Sequence, residues 1–293
     1  MGWFSNVVRA TAVMAVAALL TTVNVTGADA VTYPTLVGHR GIGNPWTVEL
    51  KIPEESIPAI QWAAAHHADV VEGDVQISGS TSSDPGGTMY MMHDETIDRT
   101  TNGTGSSTTR PWSYIKDRWL EIPVDTDGNG DMDNTKYHPP TFRAWLQAAK
   151  ATGKLAFVEL KNGDNWSASE VRRAINEIKN QGMQDRVILA ASESDIATAK
   201  STGYKKLSWG VDPSKSPSKV KSVVGSGNYA TITLTSAEEN RDYVDALKAA
   251  GIKVFLWTLT RDDHYARALP IGAYGWMCNN SDDAYKWLEA HGA

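Results

Sequence analysis

The sequence predicts an α/β chain closed as a (β/α)8 TIM barrel, with an irregular insertion after the second strand. Three observations predict it. From Thr35 onward short apolar runs alternate with helical stretches, the pattern of parallel strands joined by crossover helices. The alternation gives roughly eight strand–helix units in about 260 residues, which suits a closed barrel better than an open doubly wound sheet. No G-x-G-x-x-G follows the first strand, as the open dinucleotide-binding fold would require.

Residues 35–38 read as the first strand and run into His39-Arg40-Gly41, then a loop; residues 56–68 follow as a helix. The second strand spans 70–75, where Val70, Val71 and Val75 favour a pleated, buried surface. Residues 89–92 form a short extension, and 95–138 are polar, Gly/Asp-rich and irregular, an insertion rather than a repeat. Helices are expected over 142–152, 169–181 (capped by Ser167 or Ser169), 195–202, 237–250, 262–269 and 282–291, with one short helix within 213–227. Between them lie strands at 155–160, 187–190, 207–211, 230–234, 254–258 and 275–277.

The composition, 41% hydrophobic and 21% charged over 293 residues, is that of a globular protein. A net charge of -6 without a dense basic patch gives no footprint for nucleic acid. The first thirty residues stand apart: Arg9 precedes an apolar run over 11–25, and Ala28-Asp29-Ala30 is an A-x-A cleavage pattern. This reads as a secretory signal peptide over 1–30, because the run falls short of the roughly 20 residues of a membrane span. The expected mature chain, 31–293, is a single secreted domain. Its only cysteine, Cys278, excludes a disulfide framework and a lipid-modified N-terminal cysteine.

Barrel chemistry gathers where strands end and loops begin. His39-Arg40 closes the first strand, and Glu72 and Asp74 close the second. Strand alternation sends both acids to one face, about 7 Å apart, where they repel unless a cation lies between them. His93-Asp94 follows in the next loop, Glu159 and Lys161 close the third strand, and Trp257 closes the seventh. Singly, each has an ordinary structural explanation: a capped turn, a salt bridge, a core tryptophan. Together on one rim they suggest hard-cation binding and acid–base chemistry.

The motifs His39-Arg40-Gly41, Pro53-Glu54, Glu72-x-Asp74, His93-Asp94, Arg99-Thr100-Thr101-Asn102-Gly103, Glu159-Leu160-Lys161 and Leu256-Trp257-Thr258 resemble those of the glycerophosphodiester phosphodiesterase family. The resemblance implies a divalent-cation-dependent barrel enzyme that hydrolyses glycerophosphodiesters to glycerol 3-phosphate and an alcohol. It makes Glu72, Asp74 and Glu159 the metal ligands, for Ca2+ or Mg2+, and His39 and His93 the acid–base pair. Arg40 and Lys161 become the phosphate grip, Trp257 a substrate contact, and Glu54 a support for Arg40 or the metal. The partner is a small-molecule phosphodiester; membrane contact arises only if lipids are substrates, and oligomeric state stays open. A phospholipase D-like enzyme for lysophospholipids or sphingomyelin is the alternative within the superfamily. A silent binding barrel and a phosphatidylinositol-type phospholipase C fit less well. The chain departs from the family at Glu55-Ser56, where Asn-Thr is common, so that an amide becomes a charge, and at Thr260, where Asn is common.

Within the insertion, Asp125, Asp127, Asn129, Gly130, Asp131 and Asp133 match the first half of an EF-hand loop, though Lys136 replaces the closing Glu. A structural Ca2+ is one reading and a solvated acidic loop the other. Trp46, Trp166, Trp257 and Trp276 are expected near the strand-end loops, where tryptophan suits a choline headgroup by cation–π attraction.

Overall fold

In chain order the barrel strands are β1 (Thr35–Gly38), β2 (Val70–Ile77), β3 (Leu155–Leu160) and β4 (Val187–Ala190). They continue as β5 (Leu207–Gly210), β6 (Tyr229–Thr233), β7 (Lys253–Leu259) and β8 (Gly275–Cys278). Each pairs in parallel with the next, and β1 pairs with β8 from Thr35↔Gly275 to Gly38↔Cys278, which closes the ring. This computed structural model describes residues 33–125, 128, 132–161 and 166–292. The expected signal peptide lies outside the described residues, as do Asp127, Asn129 and Asp131 of the acidic loop.

Two cores follow from strand alternation. Val37, Val70, Phe157, Ile188, Tyr229, Phe255 and Met277 fill the barrel, with Phe157 edge-on to Phe255 at 5.9 Å between centroids. Their alternates, among them Leu36, Val71, Leu189 and Leu256, pack outward against the helices. The plugged interior leaves the strand C-terminal ends as the open, polar end. Helices Ile57–Ala65, Phe142–Ala151, Ala168–Asn180, Glu193–Ser201 and Pro217–Val224 start from Ser56, Thr141, Ser167, Ser192 and Ser216, each hydroxyl accepting from a first-turn backbone N–H. Ser167 forms a capping box with Glu170.

The structure differs from the sequence expectations in three places. The loop after β1 contains a one-turn helix, Trp46–Leu50. The helix expected over 237–250 is two, Leu234–Glu239 and Arg241–Ala249, broken where Asn240 leaves helical backbone angles and its amide donates to the Ser236 carbonyl at 2.9 Å. The insertion packs its Ile97 and Ile115 with Tyr90 and Met92 of the preceding extension in a small separate core. That core supports a short helix, Trp112–Ile115, and a ribbon pairing Glu121–Ile122 with Asp133–Asn134.

Candidate active site

β2 and β3 lie in register, so Asp74 stands beside Glu159 and Glu72 beside Phe157. Glu72, Asp74 and Glu159 therefore face the same barrel interior. β2 runs past the rim to Ile77, and the strand Met89–Met91 folds back on it antiparallel, with Val75 opposite Met91. The Met92 N–H donates to the Asp74 carbonyl at 2.9 Å, which delivers His93 over the same mouth. His39 and Arg40 enter from β1, and Lys161 from the end of β3, its N–H held by the Val75 carbonyl at 3.0 Å. One cavity of about 310 Å3 is lined by His39, Arg40, Glu72, Asp74, His93 and Glu159, together with Lys161 and Trp257. Across from this polar wall stand Ala190, Ala191, Trp209, Thr231 and Met277.

The two histidines are held differently. His39 Nδ1 lies 2.7 Å from Asn279 Oδ1, while Asn279 Nδ2 donates to the Asn44 carbonyl. With its amide nitrogen so engaged, Asn279 offers His39 only an acceptor. Nδ1 must carry the proton, and Nε2 of the neutral ring keeps its lone pair. Burial, and next the charge of Arg40, push His39 down to about 4. His93 Nδ1 instead meets a carboxylate, Asp94 Oδ1, at 2.6 Å. The Arg99 guanidinium also binds Asp94; against the opposing effect of burial, the hydrogen bond to His93 and then those from Arg99 hold the Asp94 carboxyl well below the usual range.

Carboxylates outnumber cations at the centre. Arg40 Nη1 reaches Glu54 at 2.9 Å, its Nε stands 3.6 Å from Asp74 Oδ2, and its backbone N–H donates to Glu72 at 2.5 Å. Lys161 Nζ lies 2.9 Å from Glu159 and 3.7 Å from Asp74. Burial first, then the Asp74 charge, push Glu72 and Glu159 upward. Asp74 Oδ2 is buried without a hydrogen-bond partner among the described residues. These features fit a hard divalent cation: three carboxylates facing one cavity, repulsion between them, and a buried oxygen awaiting a partner. Among the described residues the acids do not already converge as a three-ligand cage, since Lys161 and Arg40 reach between them.

Glu55, where an amide is common in the family, stands behind Asp74. Its two oxygens accept from the Asp74 backbone N–H at 3.2 and 3.1 Å, and it is almost wholly buried. Burial, followed by the charges of Asp74 and Glu72, pushes its carboxyl well above the ordinary range. Trp276 is corrected: it lies in the outer core, 1% exposed and stacked on Tyr265, because its side of β8 faces the helices. Trp166 is buried, with Nε1 donating to the Lys161 carbonyl at 2.5 Å, while Trp257 is 41% exposed at the cavity. In the acidic loop, Asp125 accepts from the Gly128 N–H at 2.6 Å and Asp133 sits in the ribbon.

Sequence reasoning missed Asn279 and Trp209. The Cys-Asn-Asn stretch reads as an ordinary strand end, and only closure of β8 against β1 brings it to His39. Gly43 was the available signal: a Cβ there would come within 2.4 Å of the Asn279 amide, so glycine permits the approach.

The fold and this mouth define a barrel hydrolase of the phosphodiesterase class. The sequence pattern of the glycerophosphoryl diester phosphodiesterase family matches residues 39–283, and the chain belongs to that family. A glycerophosphodiester phosphodiesterase of Caldanaerobacter subterraneus is 25% identical over 250 residues, 82% of this chain and 91% of the relative. The crystal structure of a glycerophosphodiester phosphodiesterase from Agrobacterium tumefaciens superposes with a TM-score of 0.66 at 23% identity, covering 86% of this chain and 99% of that one. An Oleispira antarctica phosphodiesterase, solved with the product sn-glycerol-3-phosphate, gives 0.72 at 18% identity, covering 88% and 97%. At these identities the solved structures speak for the fold alone.

Proposed function

We propose that the chain hydrolyses glycerophosphodiesters to glycerol 3-phosphate and an alcohol, with a divalent cation and with His39 and His93 as base and acid. The observation that carries this reading is the pair of histidines on one cavity, each with Nδ1 engaged from behind by a different partner. Asn279 keeps His39 neutral with a free Nε2, the form that takes a proton from the attacking hydroxyl or water. Asp94 holds His93 through Nδ1 and leaves Nε2 as the nitrogen that gives a proton to the departing alcohol oxygen. Arg40 and Lys161 hold the phosphate oxygens, the planar fork of Arg40 matching two at once.

Glu72, Asp74 and Glu159 would hold the cation, Ca2+ or Mg2+ by their all-oxygen character. When bound, it supplies Lewis-acid stabilisation of charge on the phosphoryl oxygens. The apolar wall with Trp209 and Trp257 takes the organic part of the ester. Residues 1–30 we assign to export by a cleaved signal peptide, which N-terminal sequencing of the exported protein checks.

The test is a substrate panel: glycerophosphocholine, glycerophosphoethanolamine, lysophosphatidylcholine and sphingomyelin, with products identified. Glycerol 3-phosphate from the water-soluble diesters supports the reading. Turnover of the lipids alone moves the assignment to the phospholipase D-like branch, and no turnover removes the enzymatic reading.

A further inference from the structure

The Arg-Thr-Thr-Asn-Gly stretch has no part in the chemistry above, yet its arginine touches both halves of the site from behind. Arg99 Nε and Nη2 meet the two oxygens of Asp94 at 2.5 and 2.9 Å, and Nη1 and Nη2 meet those of Glu54 at 3.0 and 2.7 Å. One guanidinium thus grips two carboxylates, each by two bonds. The oxygens shared by Nη2 are the same atoms that serve the site: Asp94 Oδ1 lies 2.6 Å from His93 Nδ1, and Glu54 Oε1 lies 2.9 Å from Arg40 Nη1. The result is a continuous chain, His93–Asp94–Arg99–Glu54–Arg40, joining residues that the sequence separates by the whole second strand.

The segment carrying Arg99 is itself fixed. Thr101 Oγ1 donates to the Ile97 carbonyl at 2.7 Å and accepts from the Gly103 N–H at 3.0 Å, and the Glu121 N–H donates to the Thr100 carbonyl at 2.9 Å. Ile97 belongs to the insertion core. The insertion is therefore a frame for a fork whose two adjacent edges, sharing Nη2, serve two different carboxylates. A lysine ammonium, a point charge on a flexible stem, cannot make four directed bonds to two carboxylates.

We propose that Arg99 is a positioning residue that fixes His93 and Arg40 relative to each other, so that the proton donor and the phosphate grip are set as one unit. This rests on the function proposed above, and the test separates the two. Arg99→Lys and Arg99→Ala are compared with wild type for kcat and KM on glycerophosphocholine, and for inorganic phosphate binding by calorimetry. The His93 Nδ1 proton is followed by NMR. Arg99→Lys keeps the charge and loses the fork, so kcat falls and KM rises together, with kcat/KM down at least about tenfold. Phosphate binding weakens, and the His93 Nδ1 proton moves upfield as its bond to Asp94 loosens. Added guanidinium restores turnover to Arg99→Ala and not to Arg99→Lys, whose side chain fills the slot.

Kinetic constants within twofold of wild type, with the His93 resonance unmoved in a folded Arg99→Lys, overturn the proposal. So does a variant that loses only thermal stability. If Arg99→Ala does not fold, Arg99→Lys decides alone. If wild type itself turns over no diester, the functional reading fails, and phosphate binding and the His93 resonance still decide whether Arg99 joins the two groups.

Discussion

His39 Nδ1 and Asn279 Oδ1, 240 positions apart in the chain, lie 2.7 Å apart where β1 and β8 close the barrel. That contact fixes which nitrogen of the His39 ring is bare, as the proposed role of base requires. Replacing the neutral acceptor with a charged one tests this: Asn279→Asp adds an anion beside Nδ1, raises His39 from about 4, and moves the acid limb of the kcat/KM–pH profile upward. Gly43→Ala forces the Asn279 amide aside and lowers kcat with little change in KM, as steady-state kinetics would show.

The same depressed value has a signature in stability. The folded chain resists protonation at His39, while the unfolded chain takes up a proton as pH falls below about 6.5. A folded-state value of about 4 therefore contributes stability that is present above pH ~6.5 and lost as pH falls toward ~4. His39→Gln removes this part of the pH dependence. In urea titrations the stability of wild type should fall relative to that of the variant as pH drops from ~6.5 toward ~4.

On the proposed mechanism, removing either histidine removes proton transfer but not phosphate binding. His39→Ala and His93→Ala should each lower kcat by about 10²- to 10⁴-fold with circular dichroism unchanged. Asp94→Asn keeps His93 but replaces the carboxylate behind it, so its kcat falls between wild type and His93→Ala.

Trp257 is 41% exposed at the cavity, where the proposed function sets the organic part of the ester. Trp257→Ala should raise KM for glycerophosphocholine by about threefold or more, the scale of an exposed cation–π contact. KM for an uncharged-headgroup diester should rise less. An equal rise for both would reduce Trp257 to a shape contact.

Period-two alternation was enough to place Glu72 with Asp74, and strand endings were enough to place His39, His93, Glu159 and Lys161 on one rim. What alternation does not carry is register between strands, which sets Asp74 beside Glu159, and barrel closure, which sets Asn279 behind His39. Glu55 illustrates a different limit: the residue type gives no sign that it is buried against Asp74, where burial pushes its carboxyl upward. The insertion reads as irregular because it is polar and rich in Gly and Asp. Folded, its Ile97 and Ile115 join Tyr90 and Met92 in a small core beside the Arg99 segment.

Metal-assisted hydrolysis of a glycerophosphodiester is read out by measuring glycerol 3-phosphate released from glycerophosphocholine by the wild-type protein, before and after chelation and on adding back Ca2+ or Mg2+. Release should be abolished by chelation and restored by one of the two ions. Release unaffected by exhaustive chelation, or none under any ion, would rule the mechanism out.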